Sequence, residues 1–332
     1  MNSLYPFLFN LDGMTQSYLW GGNKLRDFGK PGNAEQPLAE VWEISDRPED
    51  ERVSVITNGP LAGKTLRWLM ENYQQELMGN VKVINGKFPL LVKLLDAKQR
   101  LSLQVHPPAS VAAQLGGQSK TECWLLLDGT DPSAKIIAGL EHPITMQEFK
   151  AATTTTKLEP LLHSMSVKTG DAMLLPSGRL HAIDAGCLIL EIQENSNTTY
   201  RVFDWNRIDP ITNQPRQLHL EQALASIDFA DVAPTLAQPI KNLHQPNCET
   251  LATCPQFTLE RWQVALKQEH WPANSFEIIT CLSGNLTLES SGETLSLPPF
   301  TTVLIPSSTT SYTLHSKGSN SLYSRVFVPT TV

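Results

Sequence analysis

Short runs of apolar and polar residues dominate the chain and predict a mainly β protein. Residues 38–45, LAEVWEIS, alternate well enough for a half-buried strand, and residues 120–127 and 167–175 are further strand candidates. Residues 88–95, FPLLVKLL, form a nearly continuous apolar run of strand length, as expected for a buried strand. The 19 glycines and 23 prolines are scattered along the chain, which is typical of many short strands joined by turns.

Helical spacing of apolar residues is confined to short stretches. In residues 64–78 the apolar side chains recur at intervals of three and four residues, which predicts a helix. Residues 145–165 predict two short helices around a threonine-rich break, and residues 219–227 predict a further helix. We interpret residues 64–78 and 145–165 as helical insertions in a β domain.

A mixed stretch from about 228 to 250 has little periodicity and is typical of a linker. The sequence therefore predicts a first domain over residues 1–235 and a second, β-rich domain over residues 236–332. Beyond the linker, strands and turns alternate and no strong helix is predicted.

The two domains share a short pattern. GDAMLLPSGRLHA at 170–182 and LPPFTTVLIPSSTTSYT at 297–313 both place a turn and an apolar strand before a proline, small polar residues and a new strand. The similarity favours duplication of one β-barrel, with a chance match as the alternative. Aligning the two prolines places Ser311 where the first segment has His181, so we expect the second domain to bind no metal.

Composition and charge exclude several classes of function. With 41% hydrophobic and 18% charged residues in 332, the chain is globular rather than disordered. A net charge of -7 without lysine or arginine runs argues against nucleic-acid binding. No apolar run approaches the roughly 20 residues of a membrane helix, and the N-terminal residues do not resemble a signal peptide. The five cysteines form no CxxC pair, so we expect a protein of the reducing cytoplasm.

The candidate chemistry lies on three predicted strands. Gln104 and His106 are two residues apart and therefore point to one face of a strand. A single strand histidine is more often structural, but Glu122 opens the apolar run ECWLLLDG, and the turn in 170–181 presents His181 on a new strand. Two imidazoles, one carboxylate and one amide oxygen suit a borderline divalent metal such as zinc.

These residues resemble the two sequence motifs of the cupin superfamily. The second motif, Gly-x5-Pro-x-Gly-x2-His, is met in full over residues 170–181. In the first motif Gln104 stands in place of a histidine, and Glu122 is followed after six residues by Gly129. The resemblance implies a mainly β fold with two cupin-type (jelly-roll) β-barrels and short inserted helices, the first barrel being the catalytic one.

The motifs QVHP, KTECW, LPSGRLHAI and ENSNTTYRVFDW resemble more narrowly type I mannose-6-phosphate isomerase in its short bacterial form, over roughly residues 15–215. The resemblance implies one Zn2+ per chain, bound by Gln104, His106, Glu122 and His181. It also implies a small-molecule sugar phosphate as partner and the interconversion of mannose 6-phosphate and fructose 6-phosphate through an enediol.

Charged residues near these motifs are candidates for the remaining roles. Arg201 matches the essential arginine that the resemblance implies, and its planar donor fork suits an oxyanion or a phosphate. Glu191 is a candidate proton carrier or a partner of Arg201, and Lys120 is a candidate for phosphate binding or proton transfer. Lys93 is unexpected in a buried strand, because an unpaired charge is costly there. Lys93 and Glu43 are candidate substrate-binding residues.

Two other classes of function stay open from the sequence. A non-catalytic sugar-binding cupin would keep the metal for structure but would not need Arg201, Lys120 and Glu191. Another metal-dependent cupin, such as a dioxygenase or an isomerase of a different sugar phosphate, would share the fold. The glutamine at position 104 fits the ligand set of an oxygenase poorly.

Overall fold

The computed structural model describes residues 4–209, 213–272, 274–318 and 320–330. Strands account for most of its regular structure, so the prediction of a mainly β protein is confirmed. Among the described residues, no helix is both long and apolar enough to cross a membrane.

The helices are short. Thr65 caps the second helix through its side chain, and Thr145 and Glu148 form a capping box at the start of the fifth. In chain order they are α1 (Lys24–Asp27), α2 (Leu66–Asn72), α3 (Gln74–Met78), α4 (Ala109–Ala112), α5 (Met146–Ala152) and α6 (Leu220–Ser226), with 3-10 turns at Pro48–Asp50 and Glu159–Leu161.

The strands are numerous, and most have two to seven residues. The first fifteen are β1 (Phe9–Asn10), β2 (Thr15–Gln16), β3 (Glu40–Ile44), β4 (Asp46–Arg47), β5 (Arg52–Val53), β6 (Val55–Ile56), β7 (Leu90–Ala97), β8 (Leu103–Val105), β9 (Glu122–Leu126), β10 (Lys135–Leu140), β11 (Leu162–Ser166), β12 (Ala172–Leu175), β13 (His181–Ile183), β14 (Cys187–Glu194) and β15 (Tyr200–Phe203). The others are β16 (Ile240–Asn242), β17 (Gln245–Thr253), β18 (Thr258–Val264), β19 (Lys267–His270), β20 (Glu277–Ser283), β21 (Leu286–Ser290), β22 (Glu293–Leu297), β23 (Thr302–Ile305), β24 (Tyr312–Ser316) and β25 (Ser321–Phe327).

Local patterns predict the helices only in part. The predicted helix at 219–227 is confirmed as α6, whereas the one at 64–78 is divided into α2 and α3 at Tyr73, whose φ of -139° is not helical. In residues 145–165 the second predicted helix is wrong, because a 3-10 turn leads into strand β11. Strand β11 pairs with β10 along its length, and this tertiary pairing overrides the weak local helical pattern.

The chain divides into two compact units. The first comprises residues 1–14, 42–92 and 237–332, and the second comprises residues 15–41 and 93–236. The division falls within strands β3 and β7. The predicted domains, 1–235 and 236–332, stay a prediction.

The second unit contains a five-stranded antiparallel sheet and the larger part of a six-stranded sheet. Their strand orders are β11-β10-β13-β8-β15 and β12-β9-β14-β7-β3-β2. Trp124 of one sheet and Ile183 of the other belong to one apolar core. On the five-stranded sheet, Leu103 and Val105 belong to a second apolar cluster with residues of α5 and α6. The intervening residue of β8, Gln104, is thereby directed away from the helices.

The register of the five-stranded sheet aligns three predicted site residues. Gln104 lies opposite His181 on β13 and opposite Arg201 on β15. Residues directly opposite each other on neighbouring strands share a face of the sheet. The three side chains therefore lie side by side, on the face that does not carry the helices.

Two further antiparallel sheets lie in the first unit, with strand orders β16-β17-β18-β25-β20-β23 and β19-β24-β21-β22. Large apolar side chains from both sheets, among them Trp262, Tyr312 and Tyr323, form one buried cluster. Strands β16 and β17 begin inside the stretch that the sequence marks as a linker.

The internal repeat noted in the sequence extends to the backbone. In the second unit the N–H of Gly170 donates to the carbonyl of Leu126, and in the first unit the N–H of Phe300 donates to the carbonyl of Cys281. Gly170 and Phe300 both have a positive φ, of 88° and 64° respectively. A positive φ is uncommon for a residue with a bulky side chain such as Phe300. The same turn before a strand thus occurs in both units.

Strand pairing after these turns also follows one register. Strand β12 pairs with β9 so that Leu175 lies opposite Glu122, and β23 pairs with β20 so that Ile305 lies opposite Glu277. Leu175 and Ile305 each precede the proline by which the two segments were aligned. Glu277 therefore takes the place in the first unit that Glu122 has in the second, and the shared register supports duplication.

The carboxylate of Glu277 is satisfied by other side chains of its own unit. Tyr312 donates its hydroxyl to Glu277 at 2.5 Å, and Arg325 donates to Glu277 and, at 3.0 Å, to Glu260. Trp262 also donates its indole N–H to Glu260, at 2.8 Å. A guanidinium thus provides the positive charge beside this glutamate. The expectation that this region binds no metal stays a prediction.

A buried histidine beside this cluster predicts acid sensitivity of the first unit. His270 is 5% exposed, and its Nε2 lies 2.6 Å from the hydroxyl of Tyr323. Burial, with the charge of Arg325, lowers the pKa of His270 to about 3. Because an unfolded histidine has a pKa of about 6.5, the unfolded chain binds the proton first as the pH falls. The contribution of His270 is complete above pH 6.5 and is lost progressively towards pH 3.

We therefore expect His270→Gln to reduce the fall in the free energy of unfolding as the pH is lowered. Between pH 7 and pH 4.5 the free energy of unfolding of the wild type should fall by about 2 kcal/mol more than that of the variant. Denaturant titrations across this range measure the difference, with His315→Gln, a partly exposed histidine of the same unit, as control. Parallel curves for wild type and His270→Gln would contradict the assignment.

Candidate metal centre and active-site cavity

Three of the predicted ligands form a buried cluster in the second unit. His106, Glu122 and His181 are each no more than 1% exposed, and each offers a ligand atom within 4.8 Å of the others. Nε2 of His106 lies 3.3 Å from Oε2 of Glu122, and Nε2 of His181 lies 3.5 Å from Oε1. The two histidines come from the β8 and β13 side of the unit and the glutamate from β9, so both sheets contribute.

Backbone carbonyls orient both imidazole rings. Nδ1 of His106 lies 2.8 Å from the carbonyl oxygen of Thr198, and Nδ1 of His181 lies 2.8 Å from that of Arg179. A ring that donates from Nδ1 keeps the lone pair on Nε2, which is the nitrogen directed at Glu122. Burial lowers the pKa of both histidines, for His106 to about 3, so the rings are neutral, as metal ligands must be.

The atoms that face the centre of the cluster lack hydrogen bonds. Within the part of the chain that the structure describes, Nε2 of both histidines and both carboxylate oxygens of Glu122 have no hydrogen-bond partner. Lys120 Nζ lies 2.7 Å from Oε2 of Glu122, as an ion pair without the alignment of a hydrogen bond. Buried polar atoms are rarely left in this state, because each costs about 1–3 kcal/mol. A bound cation would satisfy all four at once.

The charge of Glu122 fits this interpretation. Burial by itself would raise the pKa of this carboxyl, but the charge of Lys120 holds it well below its usual range. The residues present are thus an ionised carboxylate and two neutral imidazoles, with Gln104 on the same sheet face as His181. This donor set suits a borderline divalent metal.

A cavity of about 310 Å³ opens beside the cluster, within the second unit. Gln104 lines it, and so do all of the sequence-predicted catalytic residues. Its charged lining comprises four basic side chains and two carboxylates: Lys93, Lys120, Arg201, Arg216, Glu40 and Glu191. In a chain with a net charge of -7, this excess of positive charge is local and favours an anionic ligand.

Glu191 is held by two neighbours at the wall of this cavity. Trp124 donates its indole N–H to Oε2 of Glu191 at 3.1 Å, and Lys93 Nζ lies 3.5 Å from Oε1. Lys93 also lies 3.6 Å from Glu40, so it is paired, as a buried charge must be. Burial and the charge of Glu122 raise the pKa of Glu191. A raised carboxyl pKa in a cavity is typical of a group that exchanges protons.

Arg201 has neutral partners in the cavity wall. Its Nη1 donates to the carbonyl of Gln217 at 2.8 Å, and its Nε donates to the hydroxyl of Ser102 at 3.3 Å. The sequence left open a pairing with Glu191, but the carboxylate of Glu191 contacts Lys93 and Trp124. The bonds of the nearby Asp204 go to two other arginines. Burial and the nearby charge of Arg216 lower the pKa of Arg201.

Glu43 is not among the described residues that line the cavity. It belongs to the first unit and is buried, with 3% of its surface exposed. Glu40, on the same strand β3, is the carboxylate that lines the cavity. Sequence reasoning missed Glu40 and Arg216. Strand alternation places Glu40 and Glu43 on opposite faces, but only the site itself tells which face is inward.

The fold and the site together define a class: a mainly β protein with a cupin domain and a buried cluster that suits a metal ion. Family models agree. The model described as "Phosphomannose isomerase type I, catalytic domain" matches residues 8–134, and "Mannose-6-phosphate isomerase, cupin domain" matches residues 247–321. The chain belongs to the type I mannose-6-phosphate isomerase family, a family of aldose–ketose isomerases.

Individual relatives support this membership along most of the chain. Probable mannose-6-phosphate isomerase GmuF of Bacillus subtilis is 35% identical, over 85% of this chain and 88% of the relative. Mannose-6-phosphate isomerase of Streptococcus mutans is 37% identical, over 82% and 84% respectively. The crystal structure of mannose 6-phosphate isomerase from Bacillus subtilis has a TM-score of 0.86 and 30% identity, covering 97% of this chain and 99% of the other. The family resemblance stated from the motifs is confirmed.

Proposed function

We propose that this protein interconverts mannose 6-phosphate and fructose 6-phosphate through an enediol, using one Zn2+ bound by Gln104, His106, Glu122 and His181. One observation carries the proposal. The buried cluster of unsatisfied histidine and glutamate atoms adjoins a cavity whose lining carries an excess of positive charge. The names of the relatives, at 35% and 37% identity, agree with the substrate.

The donor set fits a catalytic metal ion. Its single carboxylate neutralises only part of a divalent charge, and the other three ligands are neutral. When bound, the ion would supply positive charge to the substrate oxygens on which negative charge develops.

Glu191 is the proposed proton carrier. Isomerisation takes a proton from carbon 2 of the aldose while the carbonyl oxygen on carbon 1 gains one, which forms the carbon 1–carbon 2 double bond of the enediol. A proton then returns to carbon 1 while the hydroxyl on carbon 2 loses its proton and becomes the carbonyl of the ketose. One carboxylate beside both carbons can accept the proton from carbon 2 and donate it to carbon 1. The raised pKa of Glu191, its place in the cavity wall and its bond to Trp124 support this role.

Lys120 and Lys93 are the proposed donors around the reacting carbons. Lys120 lines the cavity while its Nζ touches Glu122, so its ammonium lies between the ligand cluster and the bound sugar. It can donate a hydrogen bond, or a proton, to a substrate oxygen. Lys93 stays charged, because Glu40 and Glu191 raise its pKa more than burial lowers it, and it orients Glu191.

Several finer points belong to the same proposal. Both units are cupin-type jelly-roll barrels derived by duplication, and only the second carries the metal. Glu43, which is not among the described residues that line the cavity, is retained as a candidate substrate-binding residue. A cytoplasmic location also stays a prediction. A purely structural metal would not need a raised carboxyl pKa and four basic side chains beside it, which favours the enzyme over a non-catalytic sugar-binding cupin.

A coupled assay that follows fructose 6-phosphate formation from mannose 6-phosphate tests the function. The protein as purified should turn over, lose activity together with its metal during dialysis against a chelator, and recover it with one equivalent of zinc. Turnover in protein shown by elemental analysis to be metal-free would contradict the metal dependence. A zinc-loaded protein without turnover would contradict the substrate assignment.

Arg201→Ala should lower turnover by about 10²- to 10³-fold, since this is the usual cost of one preorganised donor to a developing oxyanion. Arg201→Lys keeps the charge but not the planar fork, so it should restore turnover only in part. Zinc content and melting temperature, measured on the same preparations, should stay near wild type. Arg207→Lys, which changes an arginine of the following turn, is the control. An activity loss that merely follows unfolding would assign Arg201 a structural role instead.

A further inference from the structure

A second cavity, of about 640 Å³, lies in the second unit beside the end of helix α5. Thr153–Thr156 form one part of its lining, so we call it the threonine cavity, and Phe203, Trp205 and Asn206 form another part. None of the described residues that line it also lines the active-site cavity. Its volume lies in the range of small-molecule sites. The chemistry of its lining decides which class of molecule it suits.

A shift of register in strand β15 separates the two cavities. Arg201 lies opposite Gln104 and lines the active-site cavity. Residues two apart on a regular strand share a face, but the register shifts between Arg201 and Phe203, so that Phe203 lies opposite Leu103. Phe203 accordingly packs against the apolar cluster that contains Leu103 and residues of α5 and α6. One strand thus presents an arginine to one cavity and an aromatic ring to the other.

Two aromatic rings give the threonine cavity a fixed apolar wall. Phe203 and Trp205 are partly exposed, and their ring centres lie 5.3 Å apart with an angle of 80° between the planes. Trp205 donates its indole N–H to the carbonyl of Leu101 at 2.6 Å, and the guanidinium of Arg100 lies 3.5 Å from the centre of its ring. A ring held in this way loses little freedom when a ligand packs against it. The negative faces of aromatic rings attract polarised C–H bonds.

The backbone that carries this wall is unusual. Trp205 and Asn206 both have a positive φ, of 57° and 54° respectively. Two successive residues other than glycine in the left-handed region are uncommon, and such conformations are concentrated at ligand-binding sites. The turn directs Trp205 and Asn206 to the threonine cavity, which both residues line.

Hydroxyl groups supply hydrogen-bond acceptors beside the aromatic wall. The hydroxyls of Thr153, Thr154 and Thr155 donate to carbonyls of α5 three residues earlier in the chain, at 2.8, 3.3 and 3.0 Å. A hydroxyl that has donated its own proton still accepts hydrogen bonds through its lone pairs. Asn206 adds a side-chain amide, which both donates and accepts. The lining therefore suits a ligand that brings its own hydroxyl donors.

The charge of the lining favours a neutral ligand. Among the described residues that line the threonine cavity the one charged group is Glu159, and Arg100 pairs with it at 3.1 Å. The active-site cavity, in contrast, is lined by four basic side chains. An anion that left water for the threonine cavity would lose hydration without gaining a lining cation, which is costly. A sugar phosphate is therefore disfavoured here.

We propose that the threonine cavity is a second ligand site, which binds a neutral pyranose sugar. One face of the sugar ring packs against Phe203 and Trp205, and its hydroxyl groups bond to the threonines and to Asn206. A pyranose has a face of C–H bonds and a rim of hydroxyl donors, which is the combination that this lining accommodates. The site shares no described lining residue with the active-site cavity, so it stands independently of the proposed isomerase function.

Saturation-transfer NMR on the zinc-loaded protein tests the proposal, with methyl α-D-mannopyranoside and methyl α-D-glucopyranoside as probes. The methyl group blocks the anomeric carbon, so neither probe can be isomerised. Phe203→Leu should weaken binding about 3- to 10-fold, the value of one aromatic contact, and Thr154→Val about 5-fold, the value of one hydrogen bond. Phe229→Leu is the matched control, because Phe229 is a partly exposed aromatic residue that packs against the same apolar cluster but is not among the described lining residues. It should leave the affinity within about 2-fold.

Competition locates the bound probe. An excess of mannose 6-phosphate should leave the saturation-transfer signals unchanged, whereas displacement would place the probe in the active-site cavity and overturn the proposal. Absence of saturation transfer to both glycosides would overturn it as well, and so would an equal loss of affinity in Phe229→Leu. Melting temperatures check that each variant is folded. Thr154 is exposed, so Thr154→Val provides the test even where Phe203→Leu does not fold.

Discussion

His181→Ala is expected to abolish zinc binding and to lower turnover of mannose 6-phosphate by at least about 10³-fold, because a bound metal contributes several kcal/mol to the stabilisation of charge during reaction. His181 supplies one of the unsatisfied atoms of the cluster, and its ring is fixed by the carbonyl of Arg179. Alanine removes the nitrogen and leaves a space that no neighbouring donor fills. Glu122 would then be a buried carboxylate with one imidazole fewer to share a cation.

Elemental analysis and the coupled assay, on one preparation, measure this prediction. His163→Ala is the matched control, since His163 is a partly exposed histidine of the same unit that pairs with Glu141. It should retain both zinc and turnover. A His181→Ala protein that retains one equivalent of tightly bound zinc would show that the metal lies elsewhere.

Arg325→Ala is expected to destabilise the first unit by about 3–5 kcal/mol, the usual cost of removing one partner from a buried ion pair. Arg325 joins Glu260 and Glu277, and Glu277 is 1% exposed. Without the guanidinium, two carboxylates remain buried beside neutral donors such as the tyrosine hydroxyl and the indole N–H. A loss of this size is a large part of the stability of an ordinary domain.

Denaturant unfolding followed by tryptophan fluorescence measures the loss, and Arg261→Ala provides the comparison. Arg261 lies on β18, the strand next to β25, and pairs with Glu249 of β17. This pair is partly exposed and should contribute less than about 1 kcal/mol. Equal, small losses in the two variants would mean that Glu260 and Glu277 are stabilised by other groups.

The sequence identified the three residues that cluster in the structure because they carry local signals, and their role as metal ligands stays a prediction. The period of two in Gln104-x-His106 sets a common face, and the glycine–proline turn before His181 sets the start of its strand. All three titratable members of the set meet in the structure. Arg201 was found in the same way, within a motif.

Residues without a local signal were not found. Arg216 belongs to no motif, and it lines the cavity while donating two hydrogen bonds to Asp204. Glu40 and Glu43 lie on the same strand, β3, and the sequence does not show which of them faces the cavity. In the structure Glu40 lines it. Likewise, the second predicted helix of 145–165 fails because pairing with β10 is a long-range effect that local spacing does not contain.

The repeat shows the same limit. The sequence aligned Ser311 with His181 through two prolines, but it gave no reason to align Glu277 with Glu122, since the strands that carry them lie at a different separation along the chain. Only the pairing register of β12 with β9 and of β23 with β20 reveals that equivalence.

This equivalence has a consequence for how each unit depends on the cell's supply of metal. Around Glu277 the cation is Arg325, which is covalently part of the chain and is present at every metal concentration. Around Glu122 the cation would be an exchangeable ion, and its contribution to stability grows with the logarithm of free metal concentration. With the metal site proposed above, metal starvation would weaken the second unit, whereas Arg325 would continue to stabilise the first.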